Sequence, residues 1–302
     1  MKYTKVLRLR QHLLRIRTIL NIVRVSYVRS GDEMQTTINN APMFWKELGS
    51  PETLPVVFVH GFPFSHWMWL NQMEAVSDEF RAIAYDVRGH GESFIGDGQY
   101  TLEGHVDDLL ALLDHLKLRE VIIVGLSMGG YIALRALERE PARFLGAVLC
   151  DTRSEADSNE GKLKRHSHIT LVKRDGSAAF AGQFIPALFA SESFSTRTGA
   201  VQMVREMISR TPPLSIAGTL LALAGRTDTT ASLSSIRIPV LILVGESDKV
   251  TPRSAAETMH KQIAGSELHI IPNAGHMSNL ENPLFFNEKL LAFLSRAFGR
   301  RK

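Results

Sequence analysis

The sequence predicts an α/β protein with a mostly parallel eight-stranded sheet, helices on both of its faces and an inserted helical cap. Short apolar runs alternate with amphipathic segments along most of the chain, and this alternation breaks once, at residues 152–232. Strands that are apolar along their whole length are typical of a parallel sheet that is covered on both faces. The composition agrees, because 44% of the 302 residues are hydrophobic and 22% are charged, which suffices for a sizeable core.

Eight strands and five helices are predicted outside the interruption. Alternating residues at 34–38 and 42–48, with two asparagines between them, predict an antiparallel hairpin. The six further strands are apolar runs at residues 55–60, 80–86, 121–124, 144–149, 238–244 and 268–271. The helices have apolar residues at helical spacing and are predicted at residues 67–77, 102–116, 128–139, 253–263 and 283–298.

The interruption divides the predicted core into two parts. Residues 34–151 and 233–302 are expected to form the α/β core. Residues 152–232 are mostly polar, helical in propensity and without a clear strand, and we expect them to form a helical cap. An insertion between two parallel strands lies over the carboxyl edge of the sheet, where open α/β sheets bind their ligands.

Residues 1–33 differ from the rest of the chain in charge. The first 31 residues contain eight lysines and arginines and no acid, so 27 basic against 31 acidic residues remain, a net charge of −4, while the whole chain has +4. We expect a basic N-terminal extension that is poorly ordered or helical, with Met34 as an alternative start. Arginines interrupt its apolar residues, unlike the continuous apolar run of a secretory signal. Targeting, or contact of residues 1–30 with an anionic membrane surface, stays open.

Charge and cysteine content narrow the classes of function. The mildly acidic body gives no reason to expect nucleic-acid binding. The single cysteine, Cys150, cannot form an internal disulfide, and no cluster has the spacing of a zinc site. The apolar runs are too short to cross a bilayer. We expect a cytoplasmic protein without a metal or an organic cofactor, although a chain without disulfides is also compatible with secretion. No pattern bears on the oligomeric state.

The strongest chemical signal is Gly125-Leu126-Ser127-Met128-Gly129, which matches the pattern G-x-S-x-G. It directly follows a predicted strand and precedes a predicted helix, the context in which a sharp turn exposes a serine hydroxyl. The two glycines remove side chains that would collide in such a turn. Because the amide dipoles at the head of a helix favour developing negative charge, Ser127 is the predicted nucleophile.

A serine hydroxyl needs a neighbouring base to take its proton. Of the eleven histidines, His276 lies on a loop after the last predicted strand, where the chain order of serine, acid and histidine places the base. The histidines within predicted helices, His105 among them, are interpreted as solvated. Those in the predicted cap, such as His168, are expected to line an entrance at most.

The acid that orients the histidine should lie between the nucleophile and the base, after a strand. Gly245-Glu246-Ser247-Asp248 follows the seventh predicted strand and contains two carboxylates. We choose Asp248, because Thr251-Pro252 can then begin a helix with Thr251 as its N-cap; Glu246 is the alternative. The acid would hold the imidazole tautomer and stabilise the imidazolium.

The oxyanion of a tetrahedral intermediate needs two N–H donors. The backbone N–H of Met128, directly after the nucleophile, is the first candidate. The loop after residues 55–60 should supply the second, and Phe62 is chosen because Pro63 has no N–H. His60-Gly61 in the same loop is interpreted as structural, as is the glycine-containing loop that begins at Asp86.

Five short motifs occur in a fixed order along the chain. They are His60-Gly61-Phe62-Pro63, Asp86-Val87-Arg88-Gly89-His90-Gly91, Gly125-Leu126-Ser127-Met128-Gly129-Gly130, Gly245-Glu246-Ser247-Asp248 and Ala274-Gly275-His276. Together they resemble α/β-hydrolase fold proteins, in particular the group of esterases, enol-lactonases and cofactor-free haloperoxidases. The resemblance covers about residues 35–298. It implies hydrolysis of a small-molecule carboxylic ester or lactone through an acyl-enzyme, without a cofactor.

The same resemblance excludes some functions and leaves others open. Haloalkane dehalogenases and epoxide hydrolases of this fold carry an aspartate where this chain has Ser127. A receptor-like ligand-binding protein with little turnover is disfavoured by the complete set of catalytic residue types. Perhydrolysis, in which peroxide replaces water, uses the same residues and stays an alternative. The ester or lactone itself is not predicted, because the cap is the least patterned region.

Overall fold

The computed structural model describes residues 32–299. The predicted N-terminal extension, residues 1–33, lies outside the described residues except for Asp32 and Glu33, which begin the first strand. The predicted membrane contact of residues 1–30 therefore also lies outside them. Among residues 32–299, no helix is both long enough and apolar enough to cross a membrane.

Within the described residues, eight strands form a single sheet. They are β1 (Asp32–Ile38), β2 (Ala41–Leu48), β3 (Pro55–Val59), β4 (Arg81–Tyr85), β5 (Val121–Leu126), β6 (Phe144–Cys150), β7 (Val240–Gly245) and β8 (Glu267–Ile271). Their order is β1-β2-β4-β3-β5-β6-β7-β8. The pairs β1–β2 and β2–β4 are antiparallel, and the other neighbours are parallel. The predicted fold class is confirmed, and each predicted strand is present with its ends shifted by at most two residues.

The antiparallel hairpin at the sheet's edge follows from its turn residues. Asn39 and Asn40 have positive φ angles of 47° and 61°, as a two-residue type I′ turn requires, and asparagine tolerates this conformation. The turn pairs Ile38 with Ala41 and thereby sets the register of β1 and β2.

The central strands form the core of the protein. Every residue of β5 and β7 is buried, which explains why these strands are uninterrupted apolar runs in the sequence. Each fully buried Val, Ile or Leu side chain stabilises the fold by about 1.5–3 kcal/mol. The rigid sheet fixes the positions at which the loops leave the carboxyl ends of its strands.

The five helices predicted outside residues 152–232 are present with changes at their ends, and the structure adds further helices. In chain order they are α1 (Leu70–Val76), α2 (Leu102–His115), α3 (Met128–Arg139), α4 (Asn159–Leu188), α5 (Ser193–Thr196), α6 (Thr198–Arg210), α7 (Pro213–Ala224), α8 (Arg253–Gln262), α9 (Ser278–Glu281) and α10 (Pro283–Phe298). The helix predicted at residues 67–77 is a 3₁₀ turn, His66–Trp69, followed by α1. Helices α1, α3, α8 and α10 pack against the sheet.

The prediction that His105 is solvated is wrong. His105 is buried and its ring lies 5.8 Å from that of Tyr100. Burial lowers the pKa of His105 to about 4, although nearby Asp108 acts in the opposite direction. The signal was present in the spacing of α2, because a residue at position 105 shares a face with the buried residues Leu102, Val106, Leu109, Leu112 and Leu113.

The chain between β6 and β7 contains helices α4 to α7. Helix α4 is interrupted at Gly176 (φ 82°, ψ 175°), so it consists of two segments. The carbonyl of Leu188, at the end of α4, accepts the N–H groups of His276 (2.8 Å) and Met277 (3.2 Å). These bonds place the end of α4 beside the loop that follows β8, at the carboxyl edge of the sheet. The boundaries of the cap at residues 152–232 stay a prediction.

Candidate active site

Ser127 lies in the sharp turn between β5 and α3. Its backbone is in a sparsely populated conformation (φ 53°, ψ −113°), which costs about 1–3 kcal/mol for a residue other than glycine. Neighbouring groups hold it there: its N–H donates to the carbonyl of Cys150 (3.0 Å), and its carbonyl accepts the hydroxyl of Thr152 (2.8 Å). The turn is therefore strained and supported by the adjacent strand β6.

The glycines of the motif are required by the packing of this turn. A Cβ atom at Gly125 would lie 2.3 Å from the carbonyl oxygen of Gly129, and one at Gly129 would lie 2.1 Å from the carbonyl oxygen of Val59. A Cβ atom at Gly130 would meet the hydroxyl of Thr152 at 2.3 Å. Because these distances are far below van der Waals contact, no side chain fits at any of the three positions.

Asp248 and His276 form a buried, hydrogen-bonded pair. The Oδ2 atom of Asp248 lies 2.9 Å from Nδ1 of His276. The same oxygen accepts the hydroxyl of Thr251 (2.7 Å), while Oδ1 accepts the N–H groups of Val250 (2.8 Å) and Thr251 (2.9 Å). Burial acts to raise the pKa of Asp248, but His276 and the bonds from Thr251 outweigh it and hold this pKa below its usual range. Asp248 is therefore a carboxylate at neutral pH.

The other residues of this loop have different roles from those predicted. Glu246, the alternative acid, is exposed and accepts the N–H of Asn273 (3.1 Å). Thr251 is not the N-cap of α8, because the helix begins at Arg253 with Pro252 in the cap position. The prediction of this cap is wrong: the cap position lies one residue later than predicted and has no side-chain hydrogen bond, and the hydroxyl and the N–H of Thr251 donate to Asp248.

Ser127, Asp248 and His276 lie at the same edge of the sheet. They follow β5, β7 and β8, which are parallel strands in the order β5-β6-β7-β8. The loops after β7 and β8 are joined by a hydrogen bond from the N–H of Ser247 to the carbonyl of Ala274 (2.9 Å). The topology thus brings the predicted nucleophile, acid and base to one end of the sheet.

A cavity of about 230 Å³ opens at Ser127 and is also lined by Phe62. The N–H of Phe62, which precedes a cis peptide bond to Pro63, has no acceptor among residues 32–299. Met128 is the first residue of α3, and the first N–H groups of a helix lack partners within it. The N–H of Phe62 therefore belongs to a loop residue that lines the cavity, and the N–H of Met128 is at the start of α3, directly after Ser127.

A further carboxylate at this edge, Asp151, was not predicted. It follows β6, is completely buried, and accepts the N–H of Gly245 (2.8 Å) and the hydroxyl of Ser278. Burial and the charge of nearby Asp248 raise the pKa of Asp151 well above its usual range. The sequence signal was its position directly after a strand. Asp151 and Asp248 thus lie close enough for the charge of one to disfavour ionisation of the other.

A second buried Asp–His pair lies in the loops after β3 and β4. Nδ1 of His66 is 2.9 Å from Oδ1 and 3.0 Å from Oδ2 of Asp86. The carboxylate also accepts the N–H groups of His66 (2.6 Å) and Glu92 (2.9 Å). These bonds attach the loop after β4 to the 3₁₀ turn after β3, which agrees with the structural role predicted for the Asp86 loop. His66 itself was not considered at the sequence level.

Over residues 32–299, no group of three or more His, Cys, Asp or Glu side chains is placed so that it could hold a metal ion.

Comparison with known proteins identifies the family of this chain. Residues 55–283 match the family model described as alpha/beta hydrolase fold. The chain is 29% identical over 249 residues to 3-oxoadipate enol-lactonase 1 of Acinetobacter baylyi (82% of this chain, 91% of that protein). It is 29% identical over 272 residues to a non-heme chloroperoxidase of Streptomyces lividans (86% and 98%). A solved thermophilic esterase from Thermogutta terrifontis has a TM-score of 0.83 and 35% identity, covering 88% of this chain and 99% of that one. The resemblance inferred from the motifs is confirmed.

Proposed function

This chain belongs to the alpha/beta hydrolase fold family and is a hydrolase, and we propose that it cleaves a small carboxylic ester or lactone through an acyl-enzyme on Ser127. One observation carries the proposal: the strained Ser127 lines a cavity at the sheet edge where Asp248 and His276 form a buried hydrogen bond. A serine in this turn has no other evident role, because its conformation costs stability.

In the proposed acylation step, Oγ of Ser127 attacks the carbonyl carbon of the substrate. Nε2 of His276 takes the hydroxyl proton as general base and then protonates the leaving oxygen. Nδ1–H of His276 donates to Asp248, whose low pKa keeps it charged so that it stabilises the imidazolium. In a lactone the leaving oxygen stays attached to the acyl group, and in an open ester it departs as an alcohol.

The proposed oxyanion hole consists of the N–H groups of Phe62 and Met128. Both would donate to the oxygen that becomes negatively charged in the tetrahedral intermediate. Each such donor contributes about 10²–10³ to the rate. Because Met128 is the first residue of α3, the helix dipole adds to this stabilisation.

Deacylation repeats the same steps with water as nucleophile. His276 takes a proton from water, the hydroxide attacks the acyl carbon, and the proton returns to Oγ of Ser127 as the acid leaves. The cavity volume of about 230 Å³ is below the range of about 300–1,000 Å³ that is typical of sites for drug-sized ligands. We therefore expect a small substrate. Cap residues on α4 and α7, such as Phe184 and Leu220, line the cavity and would set its specificity.

Covalent labelling tests the nucleophile directly. A fluorophosphonate probe should modify the purified protein at one site, and peptide mass spectrometry should place the label on Ser127. Ser127→Ala should not be labelled, whereas Ser167→Ala, which changes an exposed serine of α4, should be labelled like the wild type. A folded wild-type protein that is not labelled, or that retains a ligand stoichiometrically without multiple turnovers, would contradict the proposal.

Perhydrolysis is a second candidate, favoured by the similarity to the non-heme chloroperoxidase of Streptomyces lividans. Here hydrogen peroxide would replace water in deacylation, and the acyl group would leave as a peracid that oxidises halide. The test is halide oxidation in the presence of acetate and peroxide. Oxidation that depends on Ser127 supports this candidate, and oxidation that persists in Ser127→Ala excludes it.

A further inference from the structure

Basic side chains are numerous in the lining of the cavity that contains Ser127. They come from three separate segments: Arg153 from the loop after β6, Lys164, Arg165 and His168 from α4, and Lys249 from the loop after β7. One carboxylate, Asp157, lies among them. This accumulation contrasts with the protein body, because residues 32–302 carry a net charge of −4.

The single carboxylate is already neutralised by arginines. Asp157 accepts hydrogen bonds from Arg165 and from Arg226, and the guanidinium of Arg226 also lies 4.3 Å from the centre of the Tyr131 ring. Two cations therefore share one anion. Asp157 leaves no negative charge to balance the remaining basic residues of the cavity.

Three of the cations have no carboxylate partner among residues 32–299. Lys164 and Lys249 are exposed and form no ion pair there. Arg153 donates Nη2 to the carbonyl of Val250, while its Nε is buried without a hydrogen-bond partner. An unpaired buried N–H of a guanidinium is costly, so Arg153 has hydrogen-bonding capacity that residues 32–299 do not satisfy.

The histidine in this group does not add to the positive charge at neutral pH. Burial lowers the pKa of His168, and the adjacent Lys164 and Arg165 lower it further. Its ring instead packs edge-on against Phe180 at 5.3 Å. The electrostatic character of the cavity therefore depends on the lysines and arginines.

The remaining lining of the cavity is apolar. Apart from Tyr131, its side chains come from the loops after β3 and β7, from α4 and from α7, namely Phe62, Val250, Phe184, Ala187, Leu220 and Leu223. A ligand that fits this cavity thus has a hydrocarbon part and an anionic part. The nucleophile lines the same cavity, so the reacting carbonyl belongs to that ligand.

We infer that the substrate is an ester or lactone that carries a carboxylate, which Lys164, Lys249 and Arg153 bind while the reacting carbonyl lies at Ser127. The inference rests on the proposed function for its reaction, but the binding of a carboxylate is a separate property of the cavity. Carboxylates bound to lysine and arginine form charge-assisted hydrogen bonds, which are about twice as strong as neutral ones.

Matched esters test the inference by kinetics. Mono-p-nitrophenyl adipate and p-nitrophenyl hexanoate have acyl chains of equal length, and only the first has a terminal carboxylate. The wild type should have a kcat/KM at least about tenfold higher for the adipate ester, since one charge-assisted hydrogen bond is worth roughly one power of ten. The double variant Lys164→Gln/Lys249→Gln should lower this ratio by about tenfold, and high salt should lower it in the wild type.

The control is Lys162→Gln, which removes an exposed lysine from the same helix outside the cavity lining. It should leave the ratio unchanged. Equal kcat/KM values for the two esters, or a ratio that Lys164→Gln/Lys249→Gln does not alter, would overturn the inference while leaving the proposed hydrolysis intact.

Binding without turnover separates the two proposals. Calorimetry with Ser127→Ala should show tighter binding of the adipate ester than of the hexanoate ester, and Lys164→Gln/Lys249→Gln in the same background should remove the difference. If the wild type hydrolyses neither ester but binds the anionic one selectively, the carboxylate site stands and the proposed reaction fails. Absence of selective binding contradicts the carboxylate site, whatever the activity.

Discussion

Two Asp–His pairs in this protein have nearly the same local geometry. Nδ1 of His276 lies 2.9 Å from a carboxylate oxygen of Asp248, and Nδ1 of His66 lies 2.9 Å from one of Asp86. All four side chains are at most 2% exposed. Distance and burial are thus equal in the two pairs, and neither quantity separates a catalytic pair from a structural one.

The two pairs differ in what surrounds them. Asp86 is enclosed by its own loop, since a Cβ atom at Gly91 would lie 2.0 Å from it, and Nε2 of His66 is buried without a partner among the described residues. Among the described residues, no side chain therefore forms a hydrogen bond with that nitrogen. Asp248 and His276 instead follow two strands of the sheet edge at which Ser127 lies. We propose that these surroundings, rather than the Asp–His bond itself, determine the role of each pair.

Replacing each histidine gives the largest expected contrast. His276→Ala should lower kcat for a p-nitrophenyl ester by about 10⁶-fold, because loss of the base leaves only the oxyanion donors and binding. His66→Ala should leave kcat of the folded protein within about tenfold of the wild type and lower its thermal stability instead. Both variants are compared by steady-state kinetics and by the midpoint of thermal unfolding. Equal losses of kcat would remove the proposed distinction between the pairs.

Replacing the acid tests the choice between two carboxylates in one loop. Asp248→Asn should lower kcat by about 10⁴-fold, since an amide favours the wrong imidazole tautomer. Glu246→Gln is the matched control, and its kcat should stay within about twofold because Glu246 is exposed and bonds only to the backbone of Asn273. A large loss in Glu246→Gln with little in Asp248→Asn would reverse the assignment.

Local patterns predicted much of this structure because they act over short distances. The strands are apolar runs that the sheet buries, and Gly125 and Gly129 are required by contacts within and beside their own turn. The loop after β7 contains a residue whose role local patterns did not predict. The sequence predicts Thr251 as a helix N-cap, but its hydroxyl donates to Asp248, because the position of that carboxylate depends on the folded loop.

Features that combine distant segments could not be predicted from local patterns. The contact of His66 with Asp86 joins loops twenty residues apart, and the pKa of Asp151 is raised because the fold buries it and places it near Asp248. The basic lining of the cavity combines Arg153, Lys164 and Lys249, which come from three separate segments of the chain. The overall composition does not indicate this basic lining, since residues 32–302 carry a net charge of −4.

Breaking the pair of His66 and Asp86 should lower the stability of the protein. Asp86→Ala leaves three donors without their acceptor, namely Nδ1–H of His66 and the backbone N–H groups of His66 and Glu92. At about 1–3 kcal/mol for each buried unsatisfied donor, the free energy of unfolding should fall by about 3 kcal/mol or more. Urea unfolding measures it. The control Asp114→Ala removes a carboxylate that is 69% exposed and should cost less than about 1 kcal/mol.

The smallest expected effect on activity is that of removing the hydroxyl of Thr251, which donates a hydrogen bond to Asp248. Thr251→Val preserves the shape of the side chain but removes its bond to Oδ2, and kcat/KM should fall by about tenfold, since a hydrogen bond to a charged group is worth about 1.5–3 kcal/mol. Thr258→Val is the control, because Thr258 is on α8, away from the pair, and bonds to the carbonyl of Ser254.

Thr251→Val should also change how the stability of the protein depends on pH. The pKa of Asp248 is held below its usual range, so its contribution to stability is present above the unfolded pKa of about 3.9 and is lost as the pH falls through the lower folded pKa. Without the hydroxyl of Thr251, the folded pKa moves up towards the unfolded one. The loss of stability below about pH 4 should therefore be shallower in Thr251→Val than in the wild type or in Thr258→Val. Parallel curves for all three proteins would show that the hydroxyl does not stabilise the charged form of Asp248.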